Sequence, residues 1–145
     1  MEFSRQATVD WAGTIMEGTG TAKAGSGAFT LPVSFPRRIG NAEGGTSPEE
    51  LIAAAHATCY AMVIAATMGR GNMSAARHTV KCTVTADKGD AGIKIQSSKL
   101  EVVAEGLSGV DAAGFEKMAR EAEGKCPVSN ALRGSLTIDV AVTVK

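Results

Sequence analysis

The sequence lacks several features, and each absence excludes some classes of protein. Net charge is absent, because fifteen basic residues balance fifteen acidic ones; no overall field therefore attracts nucleic acid, anionic lipid or an acidic substrate. The segment Met1–Gln6 lacks the basic and then apolar pattern of a signal peptide, which predicts a cytoplasmic protein. Internal repeats and low-complexity linkers are missing too. A length of 145 residues suits one core, so we expect a single domain over residues 1–145.

Cysteine is scarce, with three residues in the chain. Cytoplasmic thiols are kept reduced, so Cys59, Cys82 and Cys126 are not expected to form a disulfide framework. The remaining roles for each cysteine are packing, metal binding and redox chemistry. No CxxC or HxxxH spacing indicates a metal site. A site built from Cys59, Cys126, His56 and His78 stays open as an alternative.

Alternating apolar and polar residues predict strands in the N-terminal part of the chain. Ala7, Val9 and Trp11 share one face of a first strand. Glycines break residues 13–28 into short pieces, and an alternation that runs on to Phe35 follows them. We therefore expect an N-terminal antiparallel meander.

A helix start follows the loop after this meander. Ser47 is a good N-cap, Pro48 suits the first helical position, and Glu50 completes a capping box. We expect the helix to end at Met68 or Gly69.

Residues 51–68 are apolar nearly all round, which predicts a central helix buried on every side. A membrane span is the rival interpretation. The run is shorter than the ~20 strongly apolar residues that a bilayer needs, and it contains His56. A core helix wrapped by sheet is therefore favoured.

The C-terminal part returns to strands and shorter helices. A strand around Val80 is followed by a long strand in which the apolar parity changes, so a bulge or bend is needed near Ser97 and Ser98. Asp111 caps a second helix, Cys126 precedes a third, and residues 136–144 alternate as a last strand. The pattern predicts the α+β class.

The three cysteines differ in their local chemistry. Cys82 lies on the apolar parity of a strand, as a packed thiol does. Cys126 stands before a proline at a predicted N-cap, where the helix dipole favours a thiolate. Cys59 is within the apolar helix, but His56 and Glu49 on the same element are unusual company for a purely structural cysteine. A hydrolase with Cys59 as nucleophile and His56 as base is a further alternative, although no orienting acid or oxyanion hole is evident.

Two motifs resemble the OsmC/Ohr family of organic hydroperoxide reductases. They are Gly45-Thr46-Ser47-Pro48-Glu49-Glu50-Leu51, continuing through Ala54-Ala55-His56-Ala57-Thr58-Cys59, and Cys126-Pro127-Val128-Ser129. The resemblance covers essentially the whole chain. The histidine before Ala-x-Cys and the Cys-Pro-Val-Ser sequence are more similar to the OsmC branch than to the Ohr branch.

The resemblance implies a fold and a set of site residues. The fold would be OsmC-like, with antiparallel sheets around a buried central helix, in an intertwined homodimer with two sites at its interface. Cys59 would be the peroxidatic cysteine and Cys126 the resolving one. Arg38, in a Phe-Pro-x-Arg segment, and Glu49 would hold the first thiolate, with Arg37 as an alternative to Arg38.

The implied activity is a thiol-dependent peroxidase for organic hydroperoxides, with a role in defence against peroxide or osmotic stress. Cys59 would become a sulfenic acid and condense with Cys126, and an external dithiol, of lipoyl type by resemblance, would reopen the disulfide. No metal or cofactor is implied. A straight helix separates Glu49 from Cys59 by ~15 Å, so either the first turn is irregular, or Glu49 acts through Arg38, or a second subunit completes the site.

Overall fold

The computed structural model describes residues 1–145, which fall into two units, Met1–Leu51 and Ile52–Lys145. The single domain expected from the sequence stays a prediction.

Three strands open the first unit as an antiparallel sheet in the order β1-β2-β3. Their bounds are Ala7–Ala12, Thr19–Ala24 and Thr30–Val33. Gly20 lies opposite both Trp11 and Val33, and a Cβ at Gly20 would stand 2.8 Å from an atom of each side chain. The close approach of these two side chains thus requires glycine. The predicted meander is confirmed.

The alternation does not continue to Phe35 as we expected. β3 ends at Val33, and Phe35 begins a short helix α1 (Phe35–Ile39). Ser34 is its N-cap and accepts a hydrogen bond from the Arg37 backbone N–H at 3.4 Å. A capping serine and a proline in the first turn favour a helix start, and this local signal outweighs the apolar alternation.

Helix α2 (Pro48–Arg70) begins where the sequence predicts and ends at most two residues later than expected. The Ser47 hydroxyl accepts from the Glu50 N–H at 3.2 Å, which confirms the cap. The Glu50 carboxylate instead accepts from the Thr46 hydroxyl at 2.8 Å. The second hydrogen bond of a capping box, from the Ser47 N–H to the Glu50 carboxylate, is therefore replaced by this contact with Thr46.

Burial of α2 differs from the prediction of a helix covered on every side. One stripe is buried, and it consists of His56, Tyr60, Ile64 and Met68. The opposite face is exposed and consists of Ala54, Ala55, Thr58, Met62, Ala65 and Ala66. Met62 is 67% exposed. The expectation of full burial is wrong for the single chain. Hydropathy indicates that an apolar surface favours burial, but it does not indicate which element or partner buries it.

Helix α2 is also long and apolar enough to cross a membrane, with a mean hydropathy of 1.7 over 18 residues. Length and composition alone do not separate a membrane span from a core helix. The buried stripe carries a fully buried histidine that is hydrogen-bonded on both ring nitrogens. This arrangement fits a core helix in a water-soluble domain.

The second unit continues from α2 with two long strands, two helices and a final strand. Their bounds are β4 Ser74–Gly89, β5 Gly92–Ser108, α3 Ala112–Glu123, α4 Pro127–Leu132 and β6 Thr137–Val144. β4 and β5 form an antiparallel hairpin. Asp111 caps α3 through a 2.7 Å bond from the Gly114 N–H, as predicted.

The change of parity in β5 is explained by a bulge. Thr85 lies opposite Ser97, but its neighbour Ala86 lies opposite Ile95, so Gln96 is the extra residue. The bulge turns Ile95 and Ser98 to the same face of the sheet. A bulge next to Ser97 confirms the prediction.

β6 pairs with β5 in the parallel direction, so the sheet β4-β5-β6 is mixed. This corrects the expectation of purely antiparallel sheets. The chain leaves β5, passes through α3 and α4, and returns to run alongside β5, and such a helical crossover is how parallel strands are joined. Leu100, Val102 and Ala104 of β5 lie in the core with Phe115, Met118, Ala119 and Ala122 of α3.

Candidate active site

Two reduced thiols meet between α2 and α4. The Cys126 Sγ donates a hydrogen bond to the Cys59 Sγ at 3.2 Å. Cys59 is half-buried, and Cys126 is fully buried. The pair therefore has one sulfur that a reagent in solution can approach and one that is shielded from solvent.

The position of each sulfur follows from its helix. Cys59 lies in the middle of α2, while Cys126 is the N-cap of α4, as the sequence predicted. Its thiol makes no capping hydrogen bond. The Cys126 thiol points instead at Cys59.

Opposing effects act on the Cys59 thiol. Burial is the main cause that raises its pKa, and the neighbouring Cys126 raises it further. The backbone N–H of Val128, in the first turn of α4, lowers the pKa by hydrogen bonding to the sulfur. The balance in the single chain favours the thiol over the thiolate.

Cys59 opens onto a groove of about 430 Å³. The groove is lined by Cys59, Met62, Val63, Ala66, Arg70, Lys125 and Pro127. Two of these residues, Met62 and Ala66, belong to the exposed face of α2. An apolar molecule therefore has direct access to the Cys59 sulfur.

The first unit contains the arginine and the glutamate singled out from the sequence. The Arg38 Nη2 donates to Glu49 Oε1 at 2.6 Å, and Nε lies 3.1 Å from both carboxylate oxygens. Their side chains are 28% and 14% exposed. The Arg38 guanidinium holds the pKa of Glu49 below its usual value. The two candidates are thus brought together, and it is Arg38 rather than Arg37 that pairs with Glu49.

Arg38 lies at the edge of an apolar pocket of about 230 Å³ within the first unit. Trp11, Ile15, Val33, Phe35 and Leu51 are among its lining residues. A guanidinium beside an apolar pocket can direct a polar group of a ligand while the pocket receives a hydrocarbon tail.

A buried polar cluster surrounds His56. Its Nδ1 lies 2.6 Å from the Ser98 hydroxyl, and its Nε2 lies 2.6 Å from the Ser129 hydroxyl. Ser98 also lies 3.1 Å from the sulfur of Cys82. Burial lowers the pKa of His56, which favours the neutral ring, and raises the pKa of Cys82.

Sequence reasoning assigned no role to the two serines. Ser98 and Ser129 lie 42 and 73 residues from His56 along the chain, and no local pattern predicts such contacts. The one available signal was Ser129 itself, as the last residue of the Cys-Pro-Val-Ser motif.

The alternative chemistries find little support among these residues. No three side chains of His, Cys, Asp or Glu come together in a way that could hold a metal ion, and His78 hydrogen-bonds to the Ala61 carbonyl. Both nitrogens of His56 are engaged by serines. His56 is therefore not placed as a general base for Cys59.

The family model for OsmC-like proteins matches residues 40–141. The chain belongs to the OsmC-like family. It is 34% identical over 141 residues to the peroxiredoxin OsmC of Escherichia coli, covering 96% of each chain. It is 33% identical over 131 residues to an organic hydroperoxide resistance protein of Xanthomonas axonopodis, covering 86% of this chain and 85% of the relative.

Solved structures agree on the OsmC-like fold. An organic hydroperoxide resistance protein from Elizabethkingia anophelis superposes with a TM-score of 0.80 at 22% identity, covering 100% of this chain and 99% of the other. An OsmC protein from Legionella pneumophila gives 0.74 at 24% identity, covering 95% and 96%. The predicted α+β class and OsmC-like fold are thus confirmed, while the homodimer stays a prediction. The OsmC branch also stays a prediction, because relatives from both branches are similar to the chain.

Proposed function

We propose that this OsmC-like protein is a thiol-dependent peroxidase that reduces organic hydroperoxides. The observation that carries the proposal is the contact between the half-buried Cys59 and the buried Cys126 at 3.2 Å. A peroxidatic cysteine must be reachable by the substrate, and a resolving cysteine must be close enough to condense with it. The two thiols meet both requirements.

The first step oxidises Cys59. Its thiolate attacks one oxygen of the peroxide, the O–O bond breaks, and the other oxygen leaves as an alkoxide that takes a proton to give an alcohol. Cys59 becomes a sulfenic acid. The sulfur has lost the two electrons that the peroxide has gained.

The second step uses Cys126. Its sulfur attacks the Cys59 sulfenic acid, the S–O bond breaks, and water leaves with the proton from the Cys126 thiol. A Cys59–Cys126 disulfide remains. An external dithiol, of lipoyl type by family resemblance, then exchanges with this disulfide and returns both thiols.

Arg38 and Glu49 are proposed to hold the thiolate and the peroxide. A guanidinium next to a thiol lowers the pKa of that thiol, and the carboxylate fixes the guanidinium through paired hydrogen bonds. Helix α2 is regular from its first turn, in which the Leu51 N–H bonds to the Ser47 carbonyl at 3.0 Å. This regularity argues against an irregular first turn, and we propose that Arg38, held by Glu49, serves the Cys59 of a second copy.

An intertwined homodimer is therefore part of the proposal. The uncovered face of α2 supports it, because soluble proteins rarely leave a wide apolar surface in water. The first unit adds exposed apolar side chains at Val9, Trp11, Ile15 and Met16. A second copy of the chain would cover such surfaces.

The proposed substrate class follows from the apolar surroundings of the Cys59–Cys126 pair and of the Arg38–Glu49 pair. The pocket beside Arg38 and the groove beside Cys59 suit an alkyl or aryl hydroperoxide better than hydrogen peroxide, because transfer of the hydrocarbon tail from water contributes to binding. We further propose a cytoplasmic location, where dithiol reductants are maintained.

The test follows consumption of cumene hydroperoxide with a dithiol reductant in the parent, Cys59→Ser, Cys126→Ser and, as the matched control, Cys82→Ser. Cys59→Ser should lose turnover. Cys126→Ser should reduce about one peroxide per chain and then accumulate over-oxidised Cys59. Cys82→Ser should retain turnover. Full activity of Cys59→Ser would show that the proposed function is wrong.

A further inference from the structure

The buried cluster around His56 lies next to the reacting sulfurs and has no role in the steps above. His56 precedes Cys59 by one helical turn on α2, and Ser129 follows Cys126 by about one turn on α4. The same two helices therefore touch twice, once through the sulfurs at 3.2 Å and once through the His56–Ser129 bond at 2.6 Å.

We propose that His56 and Ser129 are a positioning pair that holds Cys126 against Cys59 and so sets the rate of disulfide closure. The proposal rests on the proposed function for its biological meaning. The pair does not touch the substrate. It acts by keeping the start of α4 at the correct place on α2.

Helix α4 depends on such contacts because it has six residues. A helix this short has little stability of its own, so its position is set by what it packs against. On its outer side, Arg133 pairs with Glu123 at 2.7 Å, and the Asn130 side chain bonds to the Gly124 carbonyl. These contacts join α4 to the end of α3. The His56 contact is made on the inner side and joins α4 to α2.

The hydrogen-bonding chemistry of the cluster suits a fixed contact. A neutral imidazole presents one donor and one acceptor, and each serine hydroxyl can supply the complementary group. His56, Ser98 and Ser129 are all fully buried, so water does not compete for these bonds. The lowered pKa of His56 agrees with a ring that stays neutral.

Small displacements matter at the sulfurs. They must move from 3.2 Å to about 2.05 Å to bond, and a misplacement of about 1 Å can slow a positioned reaction severely. An unresolved sulfenic acid remains open to a second peroxide, which converts it to a sulfinic acid. The positioning pair would thus protect Cys59 by making closure fast.

The rate at which the Cys59–Cys126 disulfide forms can be measured without peroxide. Reaction of Cys59 with Ellman's reagent gives a mixed disulfide and one nitrothiobenzoate, with the modified residue verified by mass spectrometry. Attack of Cys126 on the Cys59 sulfur then breaks the mixed disulfide, forms the Cys59–Cys126 bond and releases a second nitrothiobenzoate, whose absorbance gives the closure rate. The Cys126 proton passes to solvent. Cys126→Ser should show no second release.

Ser129→Ala should close about tenfold more slowly than the parent, the order expected for one lost hydrogen bond. Ser98→Ala is the matched control: it removes the other 2.6 Å partner of the same histidine, but from strand β5 rather than α4. Its closure rate should fall clearly less than that of Ser129→Ala, because the direct His56–Ser129 bond between α2 and α4 is kept. Ser129→Thr, which keeps a hydroxyl, should restore most of the rate.

Equal closure in Ser129→Ala and the parent would overturn the positioning pair. Equal slowing in Ser98→Ala and Ser129→Ala would also overturn it, because a general loss of core stability would then explain both. If Ser129→Ala closes more slowly than Ser98→Ala and the parent but the parent consumes no hydroperoxide, the proposed peroxidase is wrong while the positioning pair stands.

Discussion

Arg38 and Arg37 are adjacent and chemically identical, yet the structure distinguishes them. Arg38 forms the paired hydrogen bonds with Glu49, while the Arg37 backbone N–H caps onto Ser34. A guanidinium fixed by a carboxylate offers its remaining N–H groups in a defined direction. In the proposed mechanism this fixed direction is what allows one arginine to favour the thiolate.

Substitution of Arg38 by methionine should slow the reaction of Cys59 with cumene hydroperoxide by about 100-fold at pH 7. Loss of a nearby cation raises the pKa of a thiol, and a rise of about two units leaves about 100-fold less thiolate at any pH below both pKa values. The pH–rate profile should therefore move to higher pH, and most of the rate should return in alkaline solution. Stopped-flow measurement from pH 6 to 10 checks this.

Arg37→Met is the control for this experiment, since it removes the same charge one residue away. Its profile should match the parent. A large loss in Arg37→Met together with a normal profile in Arg38→Met would reverse the assignment of the two arginines.

At the scale of elements, helix α2 is half covered. Its buried stripe is closed by specific contacts, such as the Tyr60 hydroxyl donating to the Ala119 carbonyl at 2.5 Å. Its opposite face is built from alanine, threonine and methionine and bears no charged residue between Ala54 and Ala66. The lack of charge on this face is typical of the core of an interface rather than of a solvated surface.

Ala65→Glu should weaken self-association of the chain by at least about 100-fold, because an unpaired carboxylate at a closed interface is costly. Ala113→Glu makes the same change at an exposed position of another helix, α3, and should leave self-association unchanged. Sedimentation equilibrium of both variants against the parent measures the effect. Unchanged association in Ala65→Glu would exclude this face from the interface.

The sequence predicted most elements because their signals are local. Ser47, Asp111 and the alternating strands each determine structure within a few neighbouring residues. The α1 helix was missed because the alternation through Phe35 concealed the cap at Ser34. The parallel pairing of β6 was missed because the choice of a strand's neighbour depends on long-range packing, which no short pattern records.

The site residues also divide into those that local motifs identify and those that depend on long-range contacts. Motifs selected Cys59, Cys126, Arg38 and Glu49, and the structure pairs the first two and the last two. Their catalytic roles remain predictions. The contacts of His56 could not be read from sequence, because its two partners come from strand β5 and helix α4.

At the scale of the whole molecule, the proposal implies that one chain alone is not a complete enzyme. Each chain would supply a cysteine pair to one site and an Arg38–Glu49 pair to the other. Such sharing is characteristic of homodimers whose sites lie at the interface.

Mixing two variants that have little or no activity at pH 7 tests this sharing directly. Cys59→Ser keeps Arg38, and Arg38→Met keeps Cys59, so a mixed dimer would contain one intact site. After unfolding and refolding an equal mixture, activity should recover to about a quarter of the parent, because random pairing makes half the dimers mixed and each has one working site of two. Activity no greater than that of the separately refolded variants would place both pairs in the same chain.

The parallel pairing of β6 with β5 also has a consequence for biosynthesis. The β4–β5 hairpin can form as soon as both strands have left the ribosome, but β6 is the last strand to emerge and can join only after the intervening helices. Cys126 lies in that intervening segment. Cys59 leaves the ribosome 67 residues before Cys126, so the vulnerable thiol of the nascent chain has no resolving partner until that later segment has been synthesised.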